Sequence, residues 1–336
     1  MNSGATSVGV VGLGHLGSLH AQMLAQLPEV ALVGLFDIDA AHAQRASEPL
    51  GAKVFARLED LLGSVDAVTI ATVTPAHYMV AREALNRGLH VFVEKPLTQT
   101  IPEGKELVEL AERKNLRLQV GHIERFNPAI LALEPYRIKP LFIESHRLAQ
   151  FNPRGTDVAV VLDLMIHDID LILSLVGSNV ERIDANGVAV VSDSPDIANA
   201  RLQFTNGCVA NVTASRISQN KMRKMRLFQH DAYISIDFAQ PVAEVFRLVD
   251  EGDVSAKSTM LLGKIDQGKR KRQIVYEQPE VPEVNALLEE LRSFVACVRN
   301  GSRPVVSGRD GLQALEVATE ILAKIESHTQ RMSNGG

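Results

Sequence analysis

A chain of 336 residues, 46% hydrophobic and 22% charged, is long enough for two domains that each bury a core. Its 35 basic residues against 40 acidic ones leave a net charge of −5, which excludes the basic excess of a dedicated nucleic-acid binder but not a local phosphate site. Two cysteines, Cys208 and Cys297, lie outside any CxxC pattern, which excludes a disulfide scaffold and suits a reducing compartment.

The N-terminal stretch carries neither a basic segment nor a long apolar one before its first glycine motif, so it reads as a cytoplasmic start. Short β-branched runs at 7–11, 31–36, 53–55, 67–71, 90–93 and 117–120 predict strands. Between them, segments such as 76–86 and 102–114 carry apolar residues at helical spacing. Pro28, Gly88 and Pro102 punctuate these elements. Strands alternating with helices imply right-handed crossovers and a doubly wound parallel sheet of Rossmann type.

The first strand runs into Gly12-Leu13-Gly14-His15-Leu16-Gly17, a GxGxxG that opens a helix. In that context Gly12 makes the tight turn, Gly14 lets backbone approach a pyrophosphate, and Gly17 lets helix and strand pack closely. Asp37 ends the next strand, twenty residues past Gly17. A carboxylate there accepts hydrogen bonds from ribose hydroxyls and repels a 2′-phosphate, so NAD rather than NADP is the expected cofactor.

After about residue 125 the pattern changes. A short helix is expected at 128–134, a strand at 141–148 and a long apolar helix at 157–176, capped by Thr156 or Asp157. Asp163, His167, Asp168 and Asp170 inside that apolar run exclude a membrane span. Strand-like runs follow at 188–191, 200–204, 209–214, 225–229 and 233–238, with a hairpin turn at Asn206-Gly207. The stretch 252–272 reads as a loop or loose hairpin, and helices are expected at 283–299 and 311–327. Residues 1–123 are thus expected to form a dinucleotide-binding domain. Residues 124–336 would form an α/β domain with a mostly antiparallel open sheet, its C-terminal helix able to pack back on the first domain.

Two segments carry chemistry. Glu94-Lys95-Pro96 follows the strand at 90–93, at the carboxyl end where parallel sheets place ligands. Asp163 and His167, four residues apart, share one helix face. A loop lysine is more often a solvated charge, and a helical histidine more often a packed core residue. An aspartate one turn before the histidine favours a held base, because such pairs fix the imidazole tautomer. Oxidising an alcohol needs a proton acceptor, for which His167 is suited, and a group such as Lys95 to stabilise the charge developing on oxygen.

Taken together, GxGxxG with an acidic second strand, Thr74-Pro75, Glu94-Lys95-Pro96, Gly121-His122 before Arg125-Phe126-Asn127-Pro128, Asp163-x-x-x-His167 and Val306-Ser307-Gly308-Arg309-Asp310-Gly311 resemble the glucose–fructose oxidoreductase/inositol dehydrogenase (Gfo/Idh/MocA) family over nearly the whole chain. The resemblance implies a Rossmann domain and an open-sheet domain that associates into homo-oligomers, dimers or tetramers, through its sheet face. It also implies Lys95, Asp163 and His167 as catalytic positions. Gly12, Gly14, His15, Leu16, Gly17, Asp37, Thr72, Thr74, Pro75, His77, Glu94 and Lys95 would then contact the cofactor. Substrate contacts would come from His122, Arg125, Asn127, Arg154, Asp163 and His167.

Members act on sugars, inositols and nucleotide sugars. The run from Phe151 to Asp170 is most similar to members oxidising C3 of UDP-N-acetylglucosamine for the 3-amino sugars of lipid A, so a UDP-sugar is the expected partner. Arg125, Arg147 and Arg154 are candidate diphosphate forks, as is the basic run from Lys221 to Arg226. Alternatives are a UDP-N-acetylhexosaminuronate, inositol or a free sugar as substrate, or an NAD(H)-binding sensor without turnover. His122 and His146 lack accompanying ligands at metal spacing, so no metal is expected, and neither is a nucleic-acid or membrane partner.

Overall fold

The fold is described from a computed structural model covering residues 4–152, 158–251, 260–267 and 270–334. The chain divides into two compact units. The first comprises Met1–Phe126 and Val284–Glu316, the second Asn127–Glu283 and Val317–Gly336.

In the first unit, β1 (Thr6–Val11), β2 (Val30–Phe36), β3 (Lys53–Val54), β4 (Ala67–Ile70), β5 (His90–Glu94) and β6 (Leu118–Gly121) pair in the order β3-β2-β1-β4-β5-β6, every pair parallel. Helices α1 (His15–Leu24), α2 (Ala40–Ser47), α3 (Leu58–Leu62), α4 (Thr74–Asn86) and α5 (Ile101–Arg113) form the connections. The strands are continuously apolar because helices cover both faces: Val8, Val10 and Phe92 feed one core, while Val11, Ile70 and Val93 feed the other. Local chemistry sets the helix starts. Asp39 caps α2, and Thr100 with Glu103 forms a capping box on α5. Strand order reverses between β1 and β4, and this switch point opens a crevice at the strands' carboxyl ends.

The second unit contains α6 (Pro128–Leu131), β7 (Phe142–Leu148), a π-helical turn (Val161–Met165) running into α7 (Ile166–Val176), then β8 (Val180–Val188), β9 (Ile197–Phe204), β10 (Val209–Ser215), β11 (Met222–Phe228), β12 (Ala232–Asp237), β13 (Val242–Asp250), β14 (Met260–Gln267) and β15 (Arg270–Glu277). Among the described residues these strands form a nine-stranded sheet, β14-β15-β13-β12-β11-β7-β10-β9-β8, antiparallel except where β7 meets β10. Asn206-Gly207 turns β9 into β10, with Gly207 at φ +87°. The chain closes with α8 (Ala286–Asn300) and α9 (Gly308–Asn334).

Three expectations are corrected. The strand expected at 188–191 is not formed: β8 runs earlier and ends at Val188, and its largely polar sequence VERIDANGV gives little apolar signal at the sheet edge. Strand β13 has no counterpart among the expected elements; within the stretch expected as a loop or loose hairpin, β14 pairs antiparallel with the charged β15, in line with the hairpin alternative. Finally, α8 belongs to the first unit, where Leu291, Phe294 and Val295 pack with Phe92 and Leu24. The expected caps Thr156 and Asp157 lie outside the described residues.

Candidate active site

The glycine motif folds as its spacing demands. Gly12 sits at φ +84°, and a Cβ there would meet Thr72 N at 2.7 Å. A Cβ on Gly17 would lie 1.7 Å from Gly12 O, so no other residue allows this helix–strand approach. Gly14 faces open space. It precedes α1, and no side chain among the described residues caps that helix, which leaves its first N–H groups for an anion.

A cavity of about 720 Å³ lies over this turn, lined among others by Gly14, His15, Leu16, Asp37, Ile38 and Thr72. The Asp37 carboxylate accepts from Leu13 N–H and, at 2.8 Å, from Asp39 N–H, so it is fixed at the cavity rim. Ile38 beside it is 97% exposed, an apolar plate without protein cover. An open glycine cradle, a free helix N-terminus and a fixed carboxylate fit the pyrophosphate and ribose of NAD.

The Glu94-Lys95-Pro96 turn leaves β5 at the same edge, with a cis Lys95-Pro96 peptide bond. Two buried histidines bracket it. His20 of α1 donates from Nε2 to Glu94 Oε1 at 3.0 Å. Glu94 also accepts from Lys95 N–H at 3.2 Å and lies against Gly121, where a Cβ would come within 2.9 Å of the carboxylate. His77 of α4 is 1% exposed, with Nδ1 2.9 Å from Pro96 O and Nε2 3.0 Å from Thr72 O. Burial holds its imidazole below the ordinary histidine range, although both carbonyls and Glu94 favour the charged form. His122, fully buried, directly follows Gly121, the β6 partner of Glu94.

In the second unit, Asp163 lies in the π-helical turn and His167 in the first turn of α7; both are half-buried. The expectation of one continuous α-helix is corrected here. The wider turn changes how the two side chains project, and such turns recur at functional sites. On β7, Ile143, Ser145 and Arg147 alternate toward α7, and Asp168 answers them. Its carboxylate accepts from Arg147 Nε and, at 3.0 Å, from Ser145 Oγ.

Several sequence-derived roles change accordingly. Arg147, proposed for diphosphate, is 6% exposed and committed to Asp168. Both ring nitrogens of His77 face backbone carbonyls, so it supports the pocket wall instead of presenting a nitrogen to a ligand. Asn127 accepts from Ala129 N–H as the cap of α6 and donates to Phe238 O. Arg125 is half-buried, Thr74 and Pro75 open α4, and Arg154 lies outside the described residues. In the basic run, Lys224 pairs with Asp237 and Arg226 with Glu144. The supporting residues His20, Ser145 and Asp168 had no motif. Their only signal was a polar residue at a core parity of a strand or helix.

A switch-point crevice with these groups defines a dinucleotide-dependent oxidoreductase. Residues 6–122 match a family model described as "Oxidoreductase family, NAD-binding Rossmann fold", and 143–235 match the GFO/IDH/MocA C-terminal domain. The chain is 36% identical to UDP-N-acetylglucosamine 3-dehydrogenase of Acidithiobacillus ferrooxidans, over 96% of this chain and 98% of that one. A solved structure of that protein superposes with a TM-score of 0.85 at 34% identity, covering 96% and 98% of the two chains. It is 28% identical to scyllo-inositol 2-dehydrogenase (NAD(+)) of Bacillus subtilis, over 92% of this chain and 90% of that one. This chain belongs to the Gfo/Idh/MocA oxidoreductase family. It is an NAD-dependent dehydrogenase of the kind that acts on sugar hydroxyls. Among the described residues, no helix is long and apolar enough to cross a membrane.

Proposed function

We propose that this enzyme oxidises the C3 hydroxyl of UDP-N-acetylglucosamine to the 3-keto sugar, with NAD as oxidant. The observation that carries this reading is the 36% identity, end to end, with the Acidithiobacillus enzyme, against 26–28% with inositol dehydrogenases of similar coverage. When bound, NAD would supply the acceptor for the C3 hydrogen as hydride. His167 takes the hydroxyl proton, Asp163 orients the imidazole and stabilises its charged form, and Lys95 stabilises the negative charge developing on O3. Gly12, Gly14, Gly17 and the start of α1 hold the pyrophosphate, and Asp37 the adenosine ribose. His15, Leu16, Thr72, Thr74, Pro75 and Glu94 complete the cofactor wall. Arg125 is assigned to the substrate as a cation for the diphosphate; His122, 0% exposed, presents no surface to it.

The working form is proposed to be a cytoplasmic homo-oligomer associated through the sheet face opposite α7. That face carries an aromatic ladder, Phe142, Phe228, Tyr233, Phe246 and Tyr276, with neighbouring centroids 5.0–5.8 Å apart.

The test is NADH formation by the purified chain across UDP-N-acetylglucosamine, its uronate, inositol and free sugars. Turnover is expected with the first and should be inhibited by UDP. Turnover of inositol unaffected by UDP would replace the reading with a polyol dehydrogenase. NADH binding without any turnover would replace it with a sensor.

A further inference from the structure

The Lys95-Pro96 turn is fastened from behind by a side chain with no surface of its own. His77 reaches from α4 and places one ring nitrogen 2.9 Å from Pro96 O and the other 3.0 Å from Thr72 O. Thr72 lines the cofactor cavity, and Pro96 directly follows Lys95. One imidazole therefore spans the gap between the cavity wall and the turn that carries Lys95.

A neutral imidazole has one N–H, so it donates to only one of two carbonyls; the other nitrogen turns a lone pair toward the second oxygen. Burial pushes the His77 imidazole toward its neutral form, against the pull of both carbonyls and Glu94. The two contacts of a neutral ring are thus unequal, and one of them is made to the residue that directly follows Lys95.

We propose that His77 is a positioning residue for Lys95: its Nδ1–H donates to Pro96 O and sets the turn that aims the lysine, while Nε2 rests against the cavity wall. This deepens the reading of Lys95 as a catalytic group and rests on it.

Two near-isosteric variants separate the contacts. An asparagine amide nitrogen overlays Nδ1, and a glutamine amide nitrogen overlays Nε2. H77N is therefore expected to keep kcat near the native value. H77Q and H77A should lower kcat by about tenfold to a hundredfold, the range for a displaced catalytic group, with substrate KM and NADH affinity little changed. Hydrogen exchange across 94–98 should rise in H77Q and H77A but not in H77N.

Equal kcat in the Asn and Gln variants, or loss in H77N with retention in H77Q, would overturn the proposal. Native behaviour in all three would do the same. K95M supplies the separate control: unchanged turnover there sinks the catalytic reading of Lys95, whereas the exchange pattern in the His77 series judges the fastening by itself. The exchange measurement needs no turnover, so it also decides the case if UDP-N-acetylglucosamine is not the substrate.

Discussion

At the residue scale the strongest expectations concern charge and shape. Replacing His167 by alanine removes the proposed proton acceptor, and kcat should fall by about 10²–10⁴-fold, the usual worth of a general base. NADH affinity, read by fluorescence titration, should stay close to native, because the cofactor cavity is built by residues of the first unit. Asp37 has two duties, toward the ribose and toward the Leu13 and Asp39 N–H groups. D37S should weaken NAD binding by about tenfold or more, as expected for losing a charged hydrogen bond, and should relax discrimination against NADP. Gly17 tolerates nothing larger, since its Cβ would fall inside Gly12 O. G17A should therefore abolish NADH binding.

At the element scale the seating of α7 depends on a buried ion pair. Asp168 is 2% exposed and held by Arg147 and Ser145. R147M leaves that carboxylate buried without its cation, which costs about 3–5 kcal/mol; urea unfolding should show this, and R147M/D168L should recover part of it. A second carboxylate, Asp196, closes the loop between β8 and β9. Burial opposes its ionisation, but the N–H groups of Val191, Val190 and Ser192 and the Ser192 hydroxyl outweigh burial and hold its pKa well below the ordinary 3.8. A depressed pKa means the native state prefers the anion. Its stabilisation is therefore complete above 3.8 and fades as pH falls below that value. D196N should be less stable than the native chain at neutral pH, with the difference narrowing in acid; thermal melts across pH check this.

At the scale of the whole molecule, the chain leaves the first unit at Asn127 and re-enters it at Val284. The Rossmann core is therefore completed by α8, almost two hundred residues after β5. In the second unit one sheet face is covered by α7, while the opposite face carries the aromatic ladder. If that face mediates self-association, F228D should lower the mass seen by sedimentation while leaving the melting temperature of the separated chains largely unchanged.

Much of this was legible from local pattern. The parallel sheet showed itself because strands covered on both faces must be apolar throughout, and Gly12, Gly17 and Asp37 because phosphate and ribose constrain backbone shape within a few residues. Lys95 stood out by its place at the carboxyl end of a parallel strand, and the Asp163–His167 pair because ionisable groups in apolar surroundings are costly without a role. The roles of His77, Arg147 and Asn127 were decided only by tertiary structure. Their types suit a ligand as well as a backbone carbonyl or a buried carboxylate, and the choice depends on what the fold brings within 3 Å. The same holds for β8 and α8: an edge strand such as β8 carries little periodic signal, and which unit a helix joins is settled by the apolar surface that needs covering, not by its neighbours in the chain.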